Sequence, residues 1–317
     1  LKSYGYKSAI FSSMDLRWGS GWQKQVLDYF KDEGVEKIFH AADVGEEFRH
    51  PGFSKTIYNY GVDDGFTASA VNKWLENAKS PFFLIVHFHS THYSYEVPEK
   101  FVVFKPVPKL PFRSAPPWTP MLNAYDNAIF RVDDAVREVF EKLESKNHLE
   151  NSVIAITADH GESFDEHPGS YYHMTSVYET QVRVPLLFYF GKKNSKAKVL
   201  LEEGKNRITG LVDIMPTLFK SSGIRLSKEF EGAPIWGTSS KSYEKMISYH
   251  FRPKYAARSG KWKYIQEMDI HKTHLYDLES DPNEKNNLAK QFPEIISAFD
   301  LSQSNENRTG KYSPKKK

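Results

Sequence analysis

No cysteine occurs anywhere in the 317 residues. Disulfides, thiolate metal sites and a cysteine nucleophile are therefore excluded within them, and the chain is compatible with either redox compartment. Long apolar runs are missing as well. The longest, around residues 82–86 and 184–190, are strand-sized and fall far short of the ~18 residues that read as a membrane span. Neither charge dominates, since 43 basic residues face 40 acidic ones and part of the resulting +3 sits in Lys315-Lys316-Lys317. So small an excess gives no ground for a nucleic-acid partner. Residues 1–6 carry no initiator Met and no leader-like stretch, and structure is expected to be under way there already.

What is present is an alternation of strand-like and helix-like segments. Residues 7–11, 35–40, 82–86, 152–157 and 184–190 read as apolar strands. Residues 21–33, 63–78, 125–145 and 210–220 read as helices. In the third helix Ile129, Val132, Val136, Val139, Phe140 and Leu143 form one stripe with charges opposite. This order, with short links, predicts an α/β core in which a mostly parallel sheet is sandwiched by helices. Seven prolines between residues 94 and 120 predict a loop excursion, because proline continues neither a helix nor a central strand. From about residue 240 short aromatic alternations at 245–250, 262–266 and 274–278 predict a small C-terminal antiparallel α+β subdomain. The expected organisation is a core over 1–240, the subdomain over 241–300 and a disordered polar tail over 301–317.

The most informative stretch is Ile154-Ala155-Ile156-Thr157-Ala158-Asp159-His160-Gly161-Glu162. A β-branched apolar run ends in a carboxylate and an imidazole, and Gly161 lets the chain turn away at once. A carboxylate oxygen beside a neutral imidazole is a permissive ligand pair for Ca, Mn, Mg or Zn. The plain alternative is a surface Asp-His at the start of a loop. His92, in Thr91-His92-Tyr93, follows the strand at 82–86. Parallel sheets gather their sites beyond the carboxyl ends of strands, so His92 is expected to converge with Asp159. His89 follows the strand alternation and reads as structural.

His173, in Tyr171-Tyr172-His173, precedes the strand at 184–190 by a short segment and can return to the same edge. There it would bind an oxyanion when protonated or protonate a leaving oxygen. His167, between Glu166 and Pro168, reads as loop-exposed, and Glu162 as a residue that orients His160. Lys261 and Lys263 alternate with Trp262 and read as a solvated strand face. Asp133 and Asp134 read as solvated or capping. Arg17, His250 and Arg252 are candidates for anion or substrate contacts, with a solvated surface as their plain alternative.

TADHGESFDEH followed by YYH, VYE and RVPLL resembles the sulfatase and alkaline-phosphatase-like superfamily. So do FFLIVHFHSTHYSY, AYDNAIFRVDDAVREVFEKL, GLVDIMPTLF and LYDLESDPNEKNNL, in that order over nearly the whole chain. The resemblance implies the alkaline-phosphatase-like fold and hydrolysis of a sulfate ester. It implies one divalent metal ion, calcium first and Mn, Mg or Zn otherwise, with Asp159 and His160 as two of its ligands. His92 matches the histidine that contacts the transferred sulfate or phosphate, and His173 falls near the leaving-group oxygen.

Many sulfatases carry Asp-Asn where this chain has Asp159-His160. Asp-His is commoner in phosphodiesterase, phosphonate-hydrolase and lipid head-group transferase branches. Phosphodiester hydrolysis, or transfer as in lipoteichoic-acid-synthase-like and phosphoethanolamine-transferase-like relatives, is therefore the alternative within enzymes. A non-catalytic binding or regulatory module of this fold is the alternative of another class. Gly5-Tyr6-Lys7-Ser8-Ala9 matches the segment that follows the family nucleophile, and the Lys-Trp-His segment is replaced by Ser13-Met14-Asp15-Leu16-Arg17-Trp18. The nucleophile and remaining ligands are thus expected upstream of Leu1 or on a second chain, and these 317 residues alone are expected to be inactive. The implied partner is a sulfate- or phosphate-ester substrate. Membrane attachment is expected only through upstream residues, and the location is expected to be extracytoplasmic, periplasmic or secreted.

Overall fold

Ala9, Ile10 and Phe11 are buried together in the middle of strand β1 (Lys7–Ser12), as a continuous apolar run requires when both faces of a sheet are covered. The computed structural model describes residues 1–16, 22–45, 48, 61–108, 118–204, 207–236, 244–248 and 253–299. Arg17, His250, Arg252, the expected boundary near residue 240 and the tail beyond residue 300 lie outside the described residues. The chain divides into two compact units, Leu1–Glu150 and Asn151–Lys317.

In the first unit β1 is followed by helix α1 (Trp22–Asp32), strand β2 (Lys37–Phe39), helix α2 (Asp64–Leu75) and strand β3 (Phe82–His87). The sheet order is β2-β1-β3 and both pairings are parallel, with Ala9 opposite Lys37 on one side and Leu84 on the other. Helix α3 (Trp118–Ser145) packs on α2. Ala124, Ala128 and Ala135 are buried on α3, and Ala68, Val71 and Leu75 on α2. Helix α3 starts at Trp118, so Pro120 belongs to its first turn and not to the expected proline-rich loop. The cause is that the first-turn amides of a helix have no helical acceptor, so proline loses nothing there.

The second unit runs through β4 (Val153–Thr157), β5 (Ser163–Phe164), β6 (Tyr171–Tyr172), helix α4 (Glu179–Val182) and β7 (Leu186–Phe190). Helices α5 (Ser195–Gly204) and α6 (Ile214–Ser221) follow. Strands β4 and β7 are antiparallel, with Val153 opposite Phe190 and Thr157 opposite Leu186. Beyond them β8 (Glu244–Ser248), β9 (Lys254–Ser259), β10 (Trp262–Glu267) and β11 (Lys272–Asp277) form an antiparallel sheet in the order β11-β10-β9-β8. Strand β9, a Lys-Tyr-Ala-Ala-Arg-Ser segment, had no aromatic alternation to announce it.

That sheet is covered on both faces. Tyr255, Tyr264 and Leu275 pack under Phe292, Ile295, Ile296 and Phe299. Ala256, Ile265 and Tyr276 pack under Val177, Tyr178 and Val182. A fully buried aromatic or leucine side chain contributes ~1.5–3 kcal/mol, so Tyr264 and Leu275 are among its principal anchors. Asp213 is buried and structural: its carboxylate accepts the amides of Gly210 at 3.0 Å and Ala233 at 2.8 Å.

Candidate functional site

The antiparallel register of β4 and β7 brings the end of one beside the start of the other, so residues 158–185 leave and return at one place. Within this excursion the Gly161 amide donates to the Gln181 carbonyl at 2.8 Å. A Cβ at Gly161 would lie 2.2 Å from the Thr180 carbonyl oxygen, so glycine is required for this close approach. Ser163 Oγ and Thr180 Oγ1 meet at 2.8 Å. Gln181, buried, closes the loop from inside: its Oε1 accepts the amides of Thr175 and Ser176, and its Nε2 donates to Ser170 Oγ and Thr175 Oγ1.

The β5–β6 hairpin pairs Ser163 with Tyr172, and the next step of that ladder sets Glu162 against His173. His173 Nδ1 donates to Glu162 Oε1 at 3.3 Å, with both side chains largely buried. The His160 ring stacks on His173, with centroids 4.2 Å apart and planes at 25°. Tyr172 and Met174, on either side of His173, have φ of 55° and 63°. Left-handed backbone at a residue with a side chain costs ~1 kcal/mol or more, and the hydrogen bonds of Gln181 hold the neighbouring segment in place.

His160 Nδ1 donates to the Gly161 carbonyl at 2.9 Å, which puts the lone pair of the neutral ring on Nε2. Nε2 stands 3.6 Å from Asp159 Oδ2, and the Asp159 side chain is 80% exposed. Donors sharing one cation at ~2.0–2.5 Å stand ~3–4 Å apart at ordinary ligand angles, so this pair fits half of a divalent-metal site. Among the described residues no group of three or more His, Cys, Asp or Glu side chains is assembled to hold a metal.

His92 belongs to the first unit, just past β3. Its amide donates to the His89 carbonyl, its carbonyl accepts the Tyr95 amide, and its ring stacks on His89 at 4.6 Å. His92 Nδ1 donates to the Tyr93 carbonyl at 2.7 Å. The segment is anchored by Asp64, fully buried at the start of α2, whose oxygens accept the amides of His89 at 2.8 Å and Ser90 at 3.1 Å. Beside it Asp63 caps α2 through the Gly65 amide and takes Arg131 Nε at 2.8 Å and Nη2 at 2.6 Å. Arg131 Nη1 also reaches Asp134, which accepts from Arg137 as well. Asp64 and Arg131 escaped the sequence reading. The sequence offered only an Asp-Asp-Gly helix start, which reads as an ordinary cap, and Arg131 lies off the apolar stripe of Ile129, Val132 and Val136.

Three expectations are corrected. His167 is buried, not loop-exposed, because Tyr178 stacks on it at 3.7 Å and 10°; that burial pushes its pKa down. Glu162 orients His173 and not His160, because the hairpin register sets it opposite the former. Lys263 has no exposed surface, because the face it occupies is covered by residues around α4. Lys261 keeps partial exposure, paired with Asp277 and lying over the Trp262 ring.

The chain matches the family described as Sulfatase over residues 1–224, and N-sulphoglucosamine sulphohydrolase, C-terminal, over residues 166–300. It is similar to arylsulfatase K of Mus musculus, 31% identical over 186 residues, which cover 53% of this chain and 32% of that protein. With N-acetylglucosamine-6-O-sulfatase of Bacteroides thetaiotaomicron it shares 24% identity over 183 residues, again 53% of this chain and 32% of the relative. The chain thus spans about a third of the length of the curated relatives it matches.

Two solved structures share the fold at 16% identity and a TM-score of 0.67. One is a complex with its substrate D-glucosamine-2-N,6-O-disulfate, covering 96% of this chain and 80% of that one. The other is the phosphonate monoester hydrolase of Agrobacterium radiobacter, covering 97% and 79%.

Proposed function

Because this chain belongs to the sulfatase family, we propose that the protein carrying it hydrolyses a sulfate ester. In this reading Asp159 and His160 are two ligands of one divalent cation, and His92 and His173 are the imidazoles that meet the reacting group. The supporting observation is the stacked pair of His160 and His173, 4.2 Å apart, beside the exposed Asp159 carboxylate. A divalent cation bound there, calcium first, would supply Lewis-acid charge to the developing oxyanion.

The chain's own groups do the remainder. His160, with its Nδ1 proton held by the Gly161 carbonyl, offers the Nε2 lone pair as a ligand. His173 donates an Nδ1–H hydrogen bond to the buried Glu162 carboxylate, which fixes the ring so that, when it carries a second proton, its Nε2–H is the one available to the leaving ester oxygen. His92, with Nδ1–H committed to the Tyr93 carbonyl, donates from Nε2 to a non-bridging oxygen only as the imidazolium. Removing one such donor lowers a rate by ~10²–10³-fold. No nucleophile is assigned among the described residues. Similarity to an N-acetylglucosamine-6-O-sulfatase favours a sulfated sugar as the substrate; an extracytoplasmic location belongs to the same proposal.

A histidine at position 160 favours a second reading, phosphodiester hydrolysis. The two separate in one assay of the full-length, metal-replete protein on an aryl sulfate and an aryl phosphodiester. The first reading predicts a kcat/KM at least tenfold higher for the sulfate. The reverse preference would transfer the assignment to phosphodiesters, and turnover of neither would favour a non-catalytic module.

A further inference from the structure

Lys263 lies in the middle of β10 with its side chain fully buried. Its Nζ is 2.8 Å from Glu179 Oε1 and 3.0 Å from Glu284 Oε1. The other oxygen of Glu284 accepts the main-chain amide of Glu179 at 2.6 Å, and Arg258 Nη1 approaches Glu179 Oε2 at 3.5 Å. An ammonium enclosed by two carboxylates gains little net stability over a well-packed apolar trio. What it adds is direction, since charge-assisted bonds fix where the first residue of α4 sits.

The next two residues of α4 are those that touch the His160 loop. The Gln181 carbonyl accepts the Gly161 amide at 2.8 Å, and Thr180 Oγ1 meets Ser163 Oγ at 2.8 Å. The Thr180 carbonyl fills the space beside Gly161, and the Gly161 carbonyl in turn accepts from the His160 ring at 2.9 Å. Three steps therefore lead from a buried charge in the C-terminal sheet to the imidazole: Lys263 to Glu179, α4 to Gly161, and Gly161 to His160.

We infer that Lys263, together with Glu179 and Glu284, is a positioning residue that holds α4 against Gly161 and so fixes the orientation of the His160 ring. This deepens the proposed function and rests on its reading of His160 as a ligand. Burial raises the Glu284 carboxyl pKa and Lys263 opposes that rise. Without Lys263 the carboxyl takes up a proton more readily and grips the Glu179 amide less tightly.

The test compares Lys263→Met and Glu284→Gln with the parent in the full-length protein, by amide hydrogen exchange, histidine ring nitrogen spectra and kinetics. The latch predicts that the Gly161 amide exchanges at least tenfold faster in each folded variant, while amides of β9–β11 stay within twofold. The His160 Nδ1 resonance shifts, and kcat falls with KM within twofold. Unchanged Gly161 exchange would overturn it, as would equal acceleration throughout the C-terminal sheet. Unfolding of the milder Glu284→Gln variant would do the same, by showing that the cluster maintains the fold and not the loop. Should turnover survive loss of Asp159 while Gly161 still responds, the sulfatase reading fails and the latch stands.

Discussion

In the first unit the residues leading to His92 hang from a carboxylate: Asp64 accepts the amides of His89 and Ser90, and Arg131 braces the neighbouring Asp63. In the second unit the residues around His160 are held by close main-chain approach, with Gly161 against Thr180 and Gln181. The first device depends on charge satisfaction and fails when a partner is removed. The second depends on missing volume and fails when an atom is added. The same requirement, a fixed imidazole with Nδ1 donating to a carbonyl, is met twice by different physics.

Cutting the charge device has the largest expected effect. Arg131→Met leaves the Asp63 carboxylate, 18% exposed in its side chain, without its guanidinium, and breaking such a pair from one side costs ~3–5 kcal/mol. The urea midpoint of the variant reads this directly. A loss below about 1 kcal/mol would mean the segment before His92 does not depend on charge.

Gly161→Ala attacks the other device. Its Cβ must displace main chain at Thr180, at an overpacking cost of ~1–3 kcal/mol, and turnover is expected to fall with it. Full activity at parental stability would show that the close approach is incidental.

The smallest effect is a pH slope. Burial lowers the His167 pKa, so the unfolded chain takes a proton that the folded one resists. Stability from this group is complete above the unfolded value near 6.5 and declines as pH falls below it, by at most ~1.4 kcal/mol per pH unit. His167→Phe keeps a ring against Tyr178 and is expected to flatten the slope between pH 7 and 5. An identical slope in the variant would place the titration elsewhere.

Much of this was legible in the sequence where periodicity or composition carries it. The apolar runs of β1, β3 and β4 announce themselves because apolar residues repeat along the element. The stripe expected on α3 is corrected: Val139 and Leu143 are buried, but Ile129 is 46% exposed, and the buried face runs through Ala124, Ala128, Arg131 and Ala135, where small side chains let α2 approach. The Asp-His-Gly strand end is legible because few residues suit such an edge. Lys263 was not. Alternation says which side chains share a face, but not whether another element covers it. The cover comes from the region of α4, a helix of four residues, too short to show a period. Asp64 was hidden for another reason: its partners lie 25 and 26 residues away in sequence, and a helix start carries no mark of what its carboxylate reaches.

Asp159 is central to the proposed site, and its side chain is 80% exposed, so its removal changes stability by no more than ~0.5 kcal/mol. Turnover of a sulfate ester by the full-length protein carrying Asp159→Ala, measured beside its unfolding midpoint, is the most direct test. The prediction is a parental midpoint and a rate lower by ~10²-fold or more. A folded Asp159→Ala variant that turns over sulfate ester within twofold of the parent would contradict it.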